Sequence, residues 1–197
     1  EVLADSNLLN IGDQYWRGGR LVRFSCNSCT LTGQIPESIS NLTFLESLEL
    51  SDNNLTGSIL ESICNLINLK NLNLGRNQLT GTMPTSIGNL INLGKKYGSY
   101  FFNDVEIYDL YGSLGLQNNQ LSGEIPDEIG NLVHLTGLFL YENQLSGEIP
   151  PEIGNLNSLT SLRVYSNELT GEIPSDIGNL VNLIYLDLSD NQLTGEI

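Results

Sequence analysis

The chain has 197 residues, a length that predicts one domain or one long array of repeats. Its mean hydropathy is -0.07, and no stretch approaches the roughly 20 consecutive apolar residues that a membrane-crossing helix needs. Eight Lys and Arg residues against 23 Asp and Glu leave a net charge of -15, which repels phosphate backbones and anionic lipid. We therefore expect no nucleic-acid partner and no direct insertion into a membrane.

The first 20 residues precede any repeat. Residues 1–9 predict a short helix, and they have neither the basic segment nor the long apolar run of a secretory signal. The acidic side chains lie mostly later in the chain. Residues 1–96 hold 7 basic and 8 acidic side chains and net -1, whereas residues 97–197 hold 1 and 15 and net -14.

A repeat of 24 residues organises the rest of the chain. The tripeptide Leu-(Thr/Ser)-Gly recurs at intervals of 24, 24, 42, 24, 24 and 24 residues, starting at Leu31, Leu55, Leu79, Leu121, Leu145, Leu169 and Leu193. The apolar positions within one unit predict a short strand, a turn, an extended segment and one helical turn. Such a coil buries its apolar side only by stacking on its neighbours, so we assign residues 21–93 to repeats 1–3 and residues 113–197 to repeats 4–7, the last one incomplete.

An asparagine follows the predicted strand in six of these seven repeats. A side-chain amide offers two donors and one acceptor, enough to satisfy backbone groups that a tight turn removes from water. We therefore predict an inward-facing ladder of side chains formed by Asn53, Asn77, Asn119, Asn143, Asn167 and Asn191.

The unit LTGLFLYENQLSGEIPPEIGNLNS at residues 135–158 resembles the plant-type leucine-rich repeat of receptor ectodomains and polygalacturonase-inhibiting proteins. The resemblance implies an α/β solenoid, a right-handed superhelix with a concave parallel β-sheet. It also implies short helical turns on the convex side and a second short sheet on one flank. Leu60 replaces an expected proline and Cys64 an expected glycine or serine, so we expect the second repeat to be locally irregular.

The resemblance also assigns residues 1–20 to an N-terminal cap, because DQYWRGGRLVRF is similar to the Trp-containing segment before the first strand in this family. The paired cysteines usual in plant receptor caps are absent, which favours a bacterial or protist relative. The last repeat has no cap of its own. We expect further chain or end-to-end self-association to cover it.

Two cysteines stand in a Cys-x-x-Cys arrangement, Cys26 and Cys29. Aligned on the repeat, they take a core leucine position and a ladder position, so we favour an ordinary structural role over a local disulfide or a metal site. His134 is the only histidine, at a position that we expect to be exposed. We therefore predict no metal, no cofactor and no enzymatic activity. Two glycosylation sequons, at Asn41 and Asn54, matter only if a eukaryotic host secretes the chain.

The 42-residue interval contains 18 extra residues, which we assign to an island at residues 94–112. The stretch SYFFNDVEIY predicts a β-hairpin with Asn103-Asp104 as a two-residue turn. The island resembles insertions that help to form ligand sites in receptor arrays, although it can also be a self-packed protrusion. Its six aromatic residues are candidate ligand-binding residues: Tyr97, Tyr100, Phe101, Phe102, Tyr108 and Tyr111.

The resemblance places a ligand on the concave sheet, on the residues that alternate with the strand leucines. In the last three repeats these positions carry four aromatic residues and an arginine: Phe139, Tyr141, Arg163, Tyr165 and Tyr185. Such side chains are enriched at binding hot spots, but they can also stiffen a sheet through cross-strand contacts.

Together these features favour a non-catalytic, secreted or cell-surface module that binds a protein, peptide or glycan through its concave face and island. The main alternative is a structural or adhesive repeat protein of a matrix or filament. An enzyme inhibitor and an ice-binding protein are further alternatives.

Overall fold

The computed structural model describes residues 12–96 and 112–195, and the backbone of residues 100–102 and 105–107. Two strands per repeat, one in each of two sheets, account for most of its regular structure. The strands are β1 (Asp13–Arg17), β2 (Arg20–Ser25), β3 (Thr32–Gln34), β4 (Ser47–Glu49), β5 (Asn54–Ser58), β6 (Asn71–Asn73), β7 (Gln78–Gly81), β8 (Tyr100–Phe102), β9 (Val105–Ile107), β10 (Ser113–Gly115), β11 (Gln120–Gly123), β12 (Gly137–Phe139), β13 (Gln144–Glu148), β14 (Ser161–Arg163), β15 (Glu168–Thr170) and β16 (Tyr185–Asp187).

The main sheet has the order β1-β2-β4-β6-β10-β12-β14-β16, and the second sheet has the order β15-β13-β11-β7-β5-β3. All pairs in the main sheet are parallel except β1 with β2, which form an antiparallel hairpin at its N-terminal edge. The predicted parallel solenoid and its second short sheet are therefore confirmed. We call the side of the main sheet that carries the non-leucine residues the concave face.

The strand leucines explain the stacking. Leu48, Leu72, Leu114 and Leu138 pair in register from one repeat to the next, and each is 0% exposed. Burial of a leucine side chain stabilises a fold by about 1.5 to 3 kcal/mol, so each added repeat extends one continuous core. At the last strand, the equivalent Leu186 is 44% exposed.

The helical turns in the described part of the chain are 3-10 turns of five residues: Glu37–Asn41, Glu61–Asn65, Thr85–Asn89, Asp127–Asn131, Pro151–Asn155 and Ser175–Asn179. A proline with φ between -63° and -74° precedes five of them, because its ring holds the extended conformation that the turn needs. Leu60 adopts φ -73° and ψ 139° at the sixth. The backbone of the second repeat is therefore regular here, contrary to the expected irregularity.

The ladder asparagines bond to the backbone of two repeats. Asn143 Nδ2 donates to the carbonyls of Leu116, Leu140 and Tyr141, and its Oδ1 accepts from the Leu121 amide at 3.0 Å. The same pattern recurs at Asn53, Asn77, Asn119, Asn167 and Asn191. Asn53 and Asn119 are buried and the others are half-buried. These bonds hold the preceding residue of each turn at φ between 51° and 55°, a region that non-glycine residues rarely adopt.

Cys26 and Cys29 form a disulfide, with their Cα atoms 5.4 Å apart. The favoured interpretation as unpaired structural cysteines is therefore wrong, although Cys26 does fill a core leucine position and is 1% exposed. Cys29 occupies the ladder position of the first repeat. Asn53 makes the first rung, donating to the Cys26 carbonyl at 2.8 Å.

Cys64 is a buried free thiol. It occupies the glycine position of the 3-10 turn, and burial raises its pKa while a hydrogen bond from Ser86 lowers it in part. A raised pKa keeps the sulfur in the unreactive thiol form, so Cys64 acts as a core residue.

The island leaves the array without breaking it. β6 pairs directly with β10, and Asn119 donates to the Leu74 carbonyl at 3.1 Å across the interval. Gly94 and Gly112 meet at the island's neck and share one repeat position. Gly94 donates its amide to the Lys70 carbonyl, and the Gly112 carbonyl accepts from Thr136.

Only glycine fits at this neck. A Cβ on Gly112 would lie 2.0 Å from the Lys70 carbonyl oxygen, and one on Gly94 would lie 1.8 Å from that of His134. Beyond the neck, β8 and β9 pair antiparallel with Phe102 opposite Val105, which confirms the predicted hairpin. The expected turn at Asn103-Asp104 and the expected helix over residues 1–9 lie outside the described residues.

Candidate concave binding face

Arg163 lies at the centre of the aromatic half of the concave face. Its strand neighbours in register are Phe139 on β12 and Asp187 on β16. The guanidinium carbon lies 4.1 Å from the centroid of the Tyr185 ring and 5.7 Å from that of Phe139, both within the range of a cation–π contact. Among the described residues no carboxylate forms a salt bridge with Arg163, the only Lys or Arg after residue 96 in the sequence.

Tyr141 and Tyr165 form the second part of this face. Their rings stack with centroids 4.5 Å apart and an angle of 8° between the planes. Partial burial raises the pKa of the Tyr165 hydroxyl; Tyr141, Glu142 and Asp187 raise it further, while Arg163 lowers it. The tyrosine is therefore neutral at physiological pH, a hydrogen-bond donor and acceptor on an apolar base.

Three buried polar atoms near these rings have no hydrogen-bond partner: Gln117 Oε1, Ser161 Oγ and Arg163 Nε. They lie on β14 and just after β10, on the concave face. An unmade hydrogen bond of a buried group costs about 1 to 3 kcal/mol, so these groups lower the stability of this face. Gln117 and Ser161 occupy positions that alternate with the strand leucines, but only Arg163 is one of the five candidate residues of this face.

A glycine shapes the aromatic surface. A Cβ on Gly137 would lie 2.8 Å from the end of the Phe139 ring, which shows that the ring folds back over the bare backbone of its own strand. Gly75 and Gly115 likewise leave room for the side chains of Gln117 and Asn73. Glycine at a variable strand position is the sequence signal that would have revealed this surface.

The first half of the concave face is arranged differently. Glu49 accepts hydrogen bonds from four side chains that surround it on three strands and a turn: Ser25, Asn27, Ser47 and Asn71. Asn27 Oδ1 accepts from the amide and hydroxyl of Ser51. This network is satisfied by its own members.

The other sequence-derived candidates lie elsewhere. His134 is exposed, as expected. The side chains of Tyr97, Tyr100, Phe101, Phe102, Tyr108 and Tyr111 lie outside the described part of the chain. An apolar groove of about 210 Å³ lies at the opposite end of the array, where Trp16 and Phe24 of the N-terminal hairpin face Ile35 and Leu55.

Within residues 12–96 and 112–195, no three His, Cys, Asp or Glu side chains are grouped so that they could hold a metal ion. No helix of the described chain is long and apolar enough to cross a membrane.

Comparison with known proteins agrees with this architecture. The sequence pattern described as Leucine Rich Repeat matches residues 20–42, 44–66, 68–90, 113–132, 134–156, 158–180 and 182–197. The chain therefore belongs to the leucine-rich-repeat family. No curated protein sequence matches it.

Solved structures include close structural neighbours. The chain is 37% identical to the plant peptide hormone receptor RGFR1 in complex with RGF2, with a TM-score of 0.77 over 90% of this chain and 25% of that one. It is 29% identical to the PEPR1-AtPEP1 structure, with a TM-score of 0.81 over 92% of this chain and 23% of that one. It is 34% identical to the Arabidopsis receptor kinase HAESA, solved with the peptide hormone IDA and the co-receptor SERK1. The TM-score is 0.62 over 89% of this chain and 30% of that one. The chain thus spans about a quarter to a third of the length of these receptors.

Proposed function

We propose that this chain is a non-catalytic, extracellular recognition module that binds a peptide or an extended protein segment. The binding surface is the concave face of its second half, formed by Phe139, Tyr141, Arg163, Tyr165 and Tyr185. The neck of the island, at Gly94 and Gly112, directly precedes β10, the strand next to β12, and in this proposal the island contributes its aromatic residues to the site.

The observation that carries the proposal is the state of Arg163. Its guanidinium lies against the Phe139 and Tyr185 rings and forms no salt bridge among the described residues, so its positive charge can pair with a carbonyl or carboxylate of a ligand. A peptide backbone offers such an acceptor at every residue. Two structural neighbours, the peptide hormone receptor RGFR1 and HAESA with the peptide hormone IDA, support the choice of a peptide.

The stacking offers a second candidate, a structural or adhesive role. The Tyr141 and Tyr165 rings already cover one another, and the Arg163 guanidinium lies over Tyr185, which is what a stiffened sheet requires. In that role the same substitutions would lower stability and leave nothing to bind.

A selection experiment distinguishes the two roles. A phage-displayed library of random peptides is selected on the wild-type chain and counter-selected on the Tyr165→Ala, Arg163→Ala double variant, with a glycan array probed in parallel. We expect peptides that are retained by the wild type only. Peptides that bind both proteins equally, or hits confined to the glycan array, would contradict peptide recognition at this face.

The neck geometry makes a clean test of the island. Deleting residues 95–112 joins Gly94 to Ser113 and restores the 24-residue spacing, so Gly94 can donate to Lys70 and accept from Thr136. We expect a folded array with the same strand content and at least about tenfold weaker peptide binding. Unchanged affinity would remove the island from the site.

A further inference from the structure

The two glycosylation sequons differ from the other asparagines of the chain in the residue that stands two positions later. Asn41-Leu42-Thr43 and Asn54-Leu55-Thr56 are the sites with hydroxyl residues two positions after asparagine and no proline between. Asn41 ends the first 3-10 turn, and Asn54 begins β5 of the second sheet. Both side chains are exposed, and both lie off the concave face.

The glycan-accepting nitrogen is free at both positions. Within the described part of the chain, neither Asn41 nor Asn54 donates a hydrogen bond from Nδ2; Asn54 only accepts one at Oδ1, from Gln78 at 3.3 Å. The neighbouring Asn53 donates from Nδ2 to three carbonyls. A bulky sugar on Asn53 would break the ladder, whereas one on Asn54 projects into solvent.

The repeat itself excludes its ladder from this chemistry. A leucine always stands two positions after a ladder asparagine, as in Asn77-Gln78-Leu79, so no ladder residue is in a sequon. A sequon arises only where the residue after the ladder asparagine is itself asparagine. Four other repeats carry glutamine at the position of Asn54: Gln78, Gln120, Gln144 and Gln192.

The structure points to Asn41 and Asn54 as N-glycosylation sites, and we infer that both carry a glycan in a eukaryotic host. This inference rests on the extracellular location that belongs to the proposed function. The co-reactant is an oligosaccharide linked to a lipid pyrophosphate. Its anomeric C1–O bond breaks as the Nδ2–C1 bond forms, Nδ2 loses one proton, and the lipid pyrophosphate leaves.

The placement has a consequence for recognition. Glycans at these residues would cover the convex side and the flank of the first two repeats and leave the concave face open. The flank of the second half stays bare, with the exposed Glu124, Glu148 and Glu172. The array would then present a shielded N-terminal half and an open C-terminal half.

The array supplies matched variants for the test. Asn54→Gln introduces the residue that four other repeats carry at the equivalent position. Thr43→Ile converts Asn41-Leu42-Thr43 to the pattern of Asn65-Leu66-Ile67, where Ile67 is 55% exposed. Both changes remove a sequon and keep the side-chain contacts of a native repeat.

The chain is secreted from plant or insect cells behind a signal peptide, and its intact mass is measured before and after peptide-N-glycosidase. We expect two glycans on the wild type, one on each single variant and none on the double variant. Moving the flank site with Asn54→Gln plus Gln78→Asn should restore the second glycan one repeat later. An unmodified Asn41 or Asn54 would overturn the inference.

This readout is independent of the proposed function. Glycan occupancy is measured by mass alone, so its absence says nothing about peptide binding, and a failed peptide selection leaves the two glycans to be seen. Because neither site is on the concave face, a peptide selected on the wild type should bind the double variant within about twofold. A tenfold loss would contradict the placement of the glycans away from the ligand.

Discussion

The two halves of the concave face lie on different strands of one sheet, and their central charged residues have different surroundings. In the first half, Glu49 accepts hydrogen bonds from four neighbouring side chains. In the second half, Arg163 lies against aromatic rings and keeps a buried Nε without a partner. A satisfied polar network stabilises the protein, whereas a cation without a carboxylate partner can pair with an acidic group of a ligand. The contrast separates a structural surface from a candidate binding surface on one sheet.

The largest expected effect tests what the halves share. Asn53→Ala in the first half and Asn119→Ala in the second each leave an amide and several carbonyls unpaired in a buried turn. Each should lower the free energy of unfolding by about 2 to 4 kcal/mol in urea denaturation. The exposed Gln120→Ala should change it by less than about 0.5 kcal/mol. A clear loss at only one asparagine would mean that the ladder is not equally important in both halves.

Binding should separate the halves next. Arg163→Ala and Tyr165→Ala should each weaken a peptide selected on the wild type by about 1 to 3 kcal/mol in titration calorimetry, with little change in melting temperature. Arg23→Ala, on the first half, should leave the affinity unchanged. If Arg23→Ala weakened binding as much as Arg163→Ala, the ligand would extend over both halves and the contrast would fail.

A stability effect confined to the first half is expected at Glu49. Glu49→Gln keeps the size of the side chain but replaces one of its two acceptor oxygens by an NH2 donor, which then faces the donor of Asn27 on one side or that of Asn71 on the other. The free energy of unfolding should fall by about 1 to 2 kcal/mol, while peptide affinity stays the same. Glu168→Gln, exposed on the second sheet, is the matched control and should be neutral.

The smallest effect concerns the titration of Tyr165. Its pKa is raised above the usual value near 10 by partial burial and by Tyr141, Glu142 and Asp187. Above that usual value the unfolded chain ionises this hydroxyl first, so the stabilising contribution is complete below about pH 10 and is lost as pH rises through the folded pKa.

Comparison with Tyr165→Phe isolates this contribution. Urea denaturation of both proteins between pH 8 and 11 should show the wild type losing stability relative to the variant at the alkaline end. Parallel pH profiles would show that the hydroxyl titrates alike in the folded and unfolded chains.

Much of the array could be predicted from the sequence because a strict repeat imposes equivalent contacts. The 24-residue interval placed Leu114 beside Leu72 and Leu138, and it identified Asn119 and Asn143 as residues that bond to the turns. It also set apart the island and its hairpin. The five residues of the candidate face were found in the same way, as positions that alternate with buried leucines.

Other features depended on contacts that no repeat pattern specifies. The alignment put Cys26 and Cys29 in ordinary repeat positions, and only the folded turn brought them together as a disulfide. Gly94 and Gly112, which are 18 residues apart in the chain, approach each other closely at the neck of the island. The repeat pattern does not predict this contact, because the island separates the two glycines in the sequence.

For this protein the sequence by itself determined the repeat, the strand register and the positions that face outward, because each of these follows from the periodic burial of leucine. The tertiary structure decided which outward side chains satisfy one another. Glu49 found four partners and Arg163 Nε found none, and that outcome depends on rotamers and on neighbours from adjacent strands. The periodicity specifies the strand position of a side chain, whereas the packing of several repeats specifies its rotamer and its partners.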